Sequence, residues 1–232
     1  MRIYIGWDER EELACRVALR SILQHATVEI ECVPLSLKTL GAHYWRPTIE
    51  THGKLWDHIS NAPMSTSHAL ARFWIPQLED YKGFAIFMDG DVLIRRDIKE
   101  LMALADERYA VQVVKQLYAP ELGSKKRGDS QLPYPRKNWS SVMIMNCGHP
   151  ANRRLDLEVL NSWKGLSLHV FQWLQEKDIG ELPTVWNHLI TEPALVHFTE
   201  GLPDQPGRDK TPYAAEWMEL ADPMEATFFV RR

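Results

Sequence analysis

Two aspartates with one glycine between them, Asp89-Gly90-Asp91, follow the apolar run Phe84-Ala85-Ile86-Phe87-Met88 and precede Val92-Leu93-Ile94. Short apolar runs of this kind read as interior strands. The carboxylates then belong where the strand meets solvent, at the carboxyl edge of a sheet, where open α/β folds bind ligands. Carboxylates this close repel one another, and burying them unpaired is costly. A divalent cation shared with a phosphate-bearing ligand removes that cost. Asp-Gly is also a turn signal, so a solvated corner accounts for the tripeptide taken alone. The strand before it, the second apolar piece after it and a helix-like stretch from Asp97 to Leu104 favour the ligand-binding reading. Gly90 would also let a sugar or phosphate approach the backbone closely.

Three further side chains suit the same chemistry. His197 ends the strand-like segment Ala194-Leu195-Val196-His197 and precedes a loop rich in glycine and proline. A lone histidine is more often structural than ligating, but imidazole with two carboxylates suits Mn²⁺ and neighbouring divalent metals, leaving positions for a diphosphate. Asp8 follows the strand Arg2–Gly6, where it either faces the ligand crevice or starts a helix. Arg72 lies off the apolar stripe Leu70, Phe73, Trp74 and Leu78, and is either salt-bridged or reaches an anionic ligand. Nothing in the spacing places Cys15 at this edge.

These residues need a scaffold. Strand Arg2–Gly6, a helix with Ala14, Val17, Ala18, Ser21 and Ile22 on one face, and strand Val28–Leu35 make a β-helix-β unit, which favours parallel pairing. Further strands are expected at Tyr109–Val114 and Val142–Asn146, with helical material from Asn152 to Leu160 and a packing role for Phe171 and Trp173. The aromatic stretch from 38 to 64 reads as loops facing a sugar or covering the core. The basic stretch from 115 to 137 reads as a lid or a solvated excursion. The fold class is therefore α/β, a Rossmann-like mixed sheet flanked by helices.

The chain has 232 residues, with 45% hydrophobic and 25% charged residues, which suits one sizeable globular domain. A net charge of −4 gives no broad electrostatic reason to bind nucleic acid. Cys15, Cys32 and Cys147 lack metal-binding spacing and cannot all pair, which predicts a reducing compartment. With no targeting run and no transmembrane segment in the sequence, the expectation is a cytoplasmic protein, weakly membrane-associated if its acceptor is lipid-linked. The oligomeric state is left open.

Taken together, the segments Ile3-Tyr4-Ile5-Gly6-Trp7-Asp8, Ala71-Arg72-Phe73, Phe87-Met88-Asp89-Gly90-Asp91, Trp139 to Asn146, Leu182 to Asn187 and His197-Phe198-Thr199-Glu200-Gly201 resemble the retaining glycosyltransferases of family 8. The resemblance implies a GT-A fold over one domain, residues 1–232, with a variable portion after about residue 201. It implies transfer of a hexose from a nucleotide diphosphate sugar, UDP-linked, to a glycan or other hydroxyl acceptor with retention. By the same resemblance Asp89, Asp91 and His197 hold Mn²⁺, with Mg²⁺ as the alternative ion. Asp8 would lie near the uridine and Arg72 near the donor, Asp89, Asp91 and Arg72 forming the catalytic set. The chain departs from the family pattern at Trp139-Ser140-Ser141, where Asn-x-Gly is usual, and after Gly201, where a Lys-Pro pair is missing. Lys210 or the cluster Lys125 to Arg127 are the candidate replacements. Two other readings stand beside this one: a carbohydrate- or nucleotide-sugar-binding domain without catalysis, and a haloacid-dehalogenase-like phosphatase, whose Asp-x-Asp-Gly-Thr pattern is broken here by Val92.

Overall fold

The computed structural model describes residues 1–51, 54–116, 136–187 and 192–221, and the backbone of 125–126 and 129–130. In chain order, β1 (Arg2–Gly6), α1 (Glu12–His25) and β2 (Glu31–Leu35) form the opening unit. A small antiparallel sheet follows, made of β3 (Thr48–Thr51), β4 (Lys54–Asp57) and β5 (Ala62–Met64). Next come α2 (Ile75–Leu78), β6 (Phe84–Met88), β7 (Val92–Ile94), α3 (Ile98–Met102) and β8 (Val111–Val113). The two-residue strands β9 (Lys125–Lys126) and β10 (Asp129–Ser130) pair with each other. Beyond them lie β11 (Val142–Asn146), α4 (Leu157–Ser162), α5 (Gly165–His169), β12 (Ile179–Glu181), β13 (Leu195–His197) and α6 (Ala214–Ala221).

The central sheet has the order β12-β8-β11-β6-β1-β2. β1 pairs in parallel with both β2 and β6, β12 pairs in parallel with β8, and β11 runs antiparallel to β6 and β8. The mixed α/β class expected from sequence is thus the one observed. Strand alternation separates two packed faces. Ile3, Ile5, Ile86, Met88, Val142 and Ile144 pack with Ala18, Leu19 and Ile22 of α1. Tyr4, Phe87, Met143 and Met145 face the other way, onto Phe73, Trp74, Phe171 and Trp173.

This topology collects the chemistry-bearing segments at one edge. The carboxyl ends of β1, β6, β8 and β12 lie there, and the reversed direction of β11 brings Trp139–Ser141 to the same edge. Asp89 N–H donates to the Ser141 carbonyl at 2.9 Å, which fixes that junction.

Several boundaries differ from the sequence reading. The helix expected around Leu70 to Leu78 is a 3₁₀ turn, Ala71–Trp74, running into the short α2, whose first turn holds Pro76. Proline is tolerated there because the missing N–H has no intrahelical partner. Arg72 consequently turns inward and is 5% exposed. The stretch from 38 to 64 is not simply loop: it contains a 3₁₀ turn, Lys38–His43, and the small sheet. Arg46, on the way into β3, forms a buried pair with Asp57 of β4 at 2.5 Å and donates to the carbonyls of Leu160 and Trp163, which anchors that sheet to α4. The side chains of Lys125 to Arg127 lie outside the described residues, and Lys210 is exposed. All three cysteines are free and buried. Among the described residues no helix is long and apolar enough to cross a membrane.

Candidate functional site

β6 ends at Met88, so Asp89 leaves the sheet at its carboxyl edge. Three residues on, at Val92, the chain enters β7, which pairs with β13 in a register that sets His197 opposite Val92. Phe198 N–H closes that ladder by donating to the Asp91 carbonyl at 3.0 Å. Trp217 of α6, packed among Val17, Leu93, Val196 and Phe198, holds both strands from outside. The result brings one ligand atom each from Asp89, Asp91 and His197 within 4.8 Å of one another. His197 Nε2 lies 3.1 Å from Asp91 Oδ1 and 3.8 Å from Asp89 Oδ2.

The orientation of the imidazole follows from its other nitrogen. His197 Nδ1 lies 3.0 Å from Asn187 Oδ1, while Asn187 Nδ2 donates to the Asn138 carbonyl at 3.2 Å. The amide is thereby set with its oxygen toward the ring, so Nδ1 donates to it and Nε2 is the nitrogen turned toward the two carboxylates. The 3.1 Å approach of Nε2 to the Asp91 carboxylate is met either by a second ring proton or by a cation bound to both groups. Two carboxylate oxygens and an imidazole nitrogen are a donor set suited to a divalent metal, and this one fits.

Asp89 is divided between two environments. Its Oδ2 faces His197, whereas its Oδ1 lies 2.8 Å from Arg72 Nη2 and 3.2 Å from His68 Nε2. Arg72 is fixed by donating to the carbonyls of Ser140 at 2.7 Å and Ala69 at 3.1 Å, and it stacks 4.6 Å from the centre of the Phe87 ring. Burial by itself raises the Asp89 carboxyl, but Arg72 and His68 more than offset it and hold the group well below the usual carboxylate range. His169, whose Nδ1 lies 3.0 Å from Ser140 Oγ, is pushed down to about 3 by burial and by the Arg72 charge, so its ring is neutral at pH 7.

Asp8 lies at the same edge but outside the triad. It caps the 3₁₀ turn Glu9–Glu11: Oδ1 accepts from Arg10 N–H at 2.9 Å and Oδ2 from Ser67 N–H at 2.8 Å, while the Arg10 guanidinium grips both oxygens. Burial raises this carboxyl, and Arg10 and Ser67 together bring it down to about 2. The folded value lies below the ordinary 3.8, so the stabilisation is present above about pH 4 and is lost as pH falls through about 2. Asp8→Asn keeps a capping oxygen but loses the charge paired with Arg10, and should therefore cost about 1 kcal/mol at pH 5 to 7, the linkage of the lowered carboxyl discounted for solvent screening. Unfolding midpoints of parent and variant should converge toward pH 2. A gap independent of pH would show that the carboxylate charge is not what matters.

One expectation is overturned. Gly90 does not open the backbone to a ligand: a Cβ there would sit 2.4 Å from the Gly6 carbonyl oxygen and 2.5 Å from Cys15 Sγ, so the missing side chain makes room for the protein itself. Cys15, unplaced by its spacing, thus packs directly behind the two aspartates; its thiol lies 3.2 Å from the Gly6 carbonyl and burial pushes it up to about 12. Sequence reasoning also missed His68. The available signal was a histidine four residues before Arg72, within reach of the same face once the segment coils.

A mixed sheet of this order, with its ligand-type residues along one edge and helices on both faces, is the GT-A glycosyltransferase fold. At 40% identity over 216 residues, covering 87% of this chain and 78% of the relative, the chain belongs to the family of Protein CDI from Arabidopsis thaliana. No family model matches the sequence. The fold is shared with the galactosyltransferase LgtC, solved with donor and acceptor sugar analogues, at a TM-score of 0.61 and 15% identity over 95% of each chain. It is shared also with the bifunctional glycosyltransferase WbbM, at a TM-score of 0.61 and 14% identity over 96% of this chain. The present chain spans 49% of WbbM's length. Mouse xyloside xylosyltransferase 1 matches at a TM-score of 0.54 and 13% identity over 85% of this chain and 97% of its own.

Proposed function

We propose that the protein is a metal-dependent retaining glycosyltransferase of the family 8 type, moving a hexose from a UDP-sugar to a carbohydrate hydroxyl. The observation that carries this reading is the facing of His197 Nε2 onto Asp91 and Asp89 at the ligand-binding edge of a GT-A sheet. A divalent ion, Mn²⁺ or Mg²⁺, would supply electrostatic stabilisation to the departing diphosphate when bound there. Asp89, Asp91 and His197 are the residues to hold it. Arg72 pairs with Asp89 and keeps it ionised, and its positive charge beside the metal-facing aspartate would add to the stabilisation of a departing diphosphate. Asp8, with Arg10 locked on it, shapes the β1 corner proposed to lie near the uridine. Neutral His169 and Ser140 line the Arg72 side of the same edge. Front-face attack is the preferred version of the chemistry: the acceptor hydroxyl bonds to the anomeric carbon from the face the diphosphate leaves and gives its proton to the departing phosphate oxygen.

The test is UDP release from a panel of UDP-hexoses with a glycan acceptor, in metal-free buffer and after adding Mn²⁺ or Mg²⁺. Release should be abolished by chelation and restored by the ion, and product NMR should show the donor's anomeric configuration. Full turnover without metal overturns the reading. Tight donor binding with no turnover on any acceptor would instead favour a binding domain that kept the fold.

A further inference from the structure

We infer that His68 is a positioning residue for the metal centre: with Arg72 it occupies Asp89 Oδ1, so that Oδ2 is the oxygen turned toward Asp91 and His197. This rests on the metal-centre reading above. Arg72 and His68 approach one oxygen at 2.8 and 3.2 Å, while His197 lies 3.8 Å from the other. A carboxylate held this way has one free oxygen and one orientation.

The His68 ring has no alternative place to go. It is 3% exposed and lies against the backbone of Gly6, where a Cβ would come within 2.6 Å of Cδ2 and 2.9 Å of Nε2. Gly6 is therefore the residue that admits the ring beneath the end of β1. On its far side the ring meets Phe87, at 6.4 Å between centres. Its Nδ1 is buried with no hydrogen-bond partner among the described residues. An unpaired buried nitrogen costs about 1–3 kcal/mol, so packing alone would be better served by an apolar side chain. Nε2 meets Asp89 Oδ1 at 3.2 Å in an electrostatic contact, that oxygen having no aligned hydrogen bond of its own among the described residues.

The neighbouring residue extends the argument. Ser67 N–H donates to Asp8 at 2.8 Å and Ser67 Oγ to the Trp7 carbonyl at 2.5 Å. One dipeptide therefore holds the β1 corner with its first residue and the metal-facing aspartate with its second. Arg72 supplies charge to Asp89 from the 3₁₀ turn; His68 supplies direction from the corner.

The experiment compares His68→Leu, which fills the space without a donor, with His68→Gln, whose amide nitrogen reaches the position of Nε2. Mn²⁺ alone is titrated calorimetrically into parent, both variants and Asp91→Asn, and unfolding is followed in metal-free buffer. His68→Leu should stay folded and bind Mn²⁺ about 10–100-fold more weakly. His68→Gln should return to within a few-fold of the parent. Should the parent bind Mn²⁺ and His68→Leu bind it equally well, or should His68→Gln be folded and as weak as a leucine, the positioning role falls while the metal centre stands. Should the parent bind no Mn²⁺, or Asp91→Asn bind it as tightly as the parent, the metal centre itself falls. A His68→Leu protein that fails to fold leaves the decision to His68→Gln, whose affinity must then match the parent.

Discussion

Asp91→Asn is expected to fold like the parent and to lose transfer by about 10²–10³-fold, the kinetic equivalent of about 3–4 kcal/mol of lost electrostatic stabilisation. The substitution keeps size and shape, so the β7–β13 ladder, built on backbone contacts such as Phe198 N–H to the Asp91 carbonyl, is retained. What disappears is one unit of negative charge, 3.1 Å from His197 Nε2 in the proposed donor set. Asp91 is the informative choice because Asp89 has a second occupation: Arg72 is buried against it, and neutralising Asp89 leaves that guanidinium poorly compensated. Loss of transfer in Asp89→Asn would therefore mix lost metal affinity with lost folding. In Asp91→Asn the two separate. Steady-state UDP release, with unfolding in metal-free buffer alongside, checks the prediction, and parent-like turnover would remove Asp91 from the site.

Gly90→Ala is expected to lower stability by about 3 kcal/mol, at the upper end of ordinary overpacking. The new methyl group would meet the Gly6 carbonyl oxygen at 2.4 Å and Cys15 Sγ at 2.5 Å. The carbonyl belongs to the last residue of β1, held in register with Leu35 of β2 and followed by Trp7 N–H bonded to the Leu35 carbonyl, so it has little freedom to withdraw. The sulfur is the softer obstacle. Cys15→Ala in the same chain should recover part of the loss, a non-additivity that denaturant unfolding of the two single variants and the double variant will measure. Strict additivity would mean that the methyl group is accommodated by moving the Asp89–Asp91 loop rather than by pressing on Cys15.

The parts of this molecule that were legible in its sequence are those governed by strand periodicity. The run from Phe84 to Met88 is a central strand because every residue in it is apolar, and charge begins where the strand ends. His197 could be placed because Leu195 and Val196 precede it as a short buried strand. The register that sets it opposite Val92 is a tertiary fact that spacing does not contain. The small sheet was not legible, since strands of three or four residues such as Thr48–Thr51 and Ala62–Met64 are too short to show a period of two. Arg72 was placed off the apolar stripe by assuming 3.6 residues per turn. The observed 3₁₀ turn brings it inward with Phe73 and Trp74, and the warning was Pro76, which cannot donate back to the Arg72 carbonyl and so interrupts a continuous helix from Leu70 to Leu78. Gly90 misled for another reason: a glycine between two aspartates suits ligand approach and tight packing equally, and only the position of the Gly6 carbonyl decides between them.

The order of the chain along the β7–β13 ladder also has a meaning in time. His68 and Arg72 precede Asp89 and Asp91 closely, while His197 follows them by about a hundred residues, a separation that ribosomal synthesis takes roughly 5–20 s to cover. For that interval the carboxylates exist without their imidazole. Asp89's compensating guanidinium, Arg72, is already made, so the charge that would otherwise resist burial can be met by a residue of the same half of the chain. The donor set is completed last, by the strand that arrives to lie beside Val92.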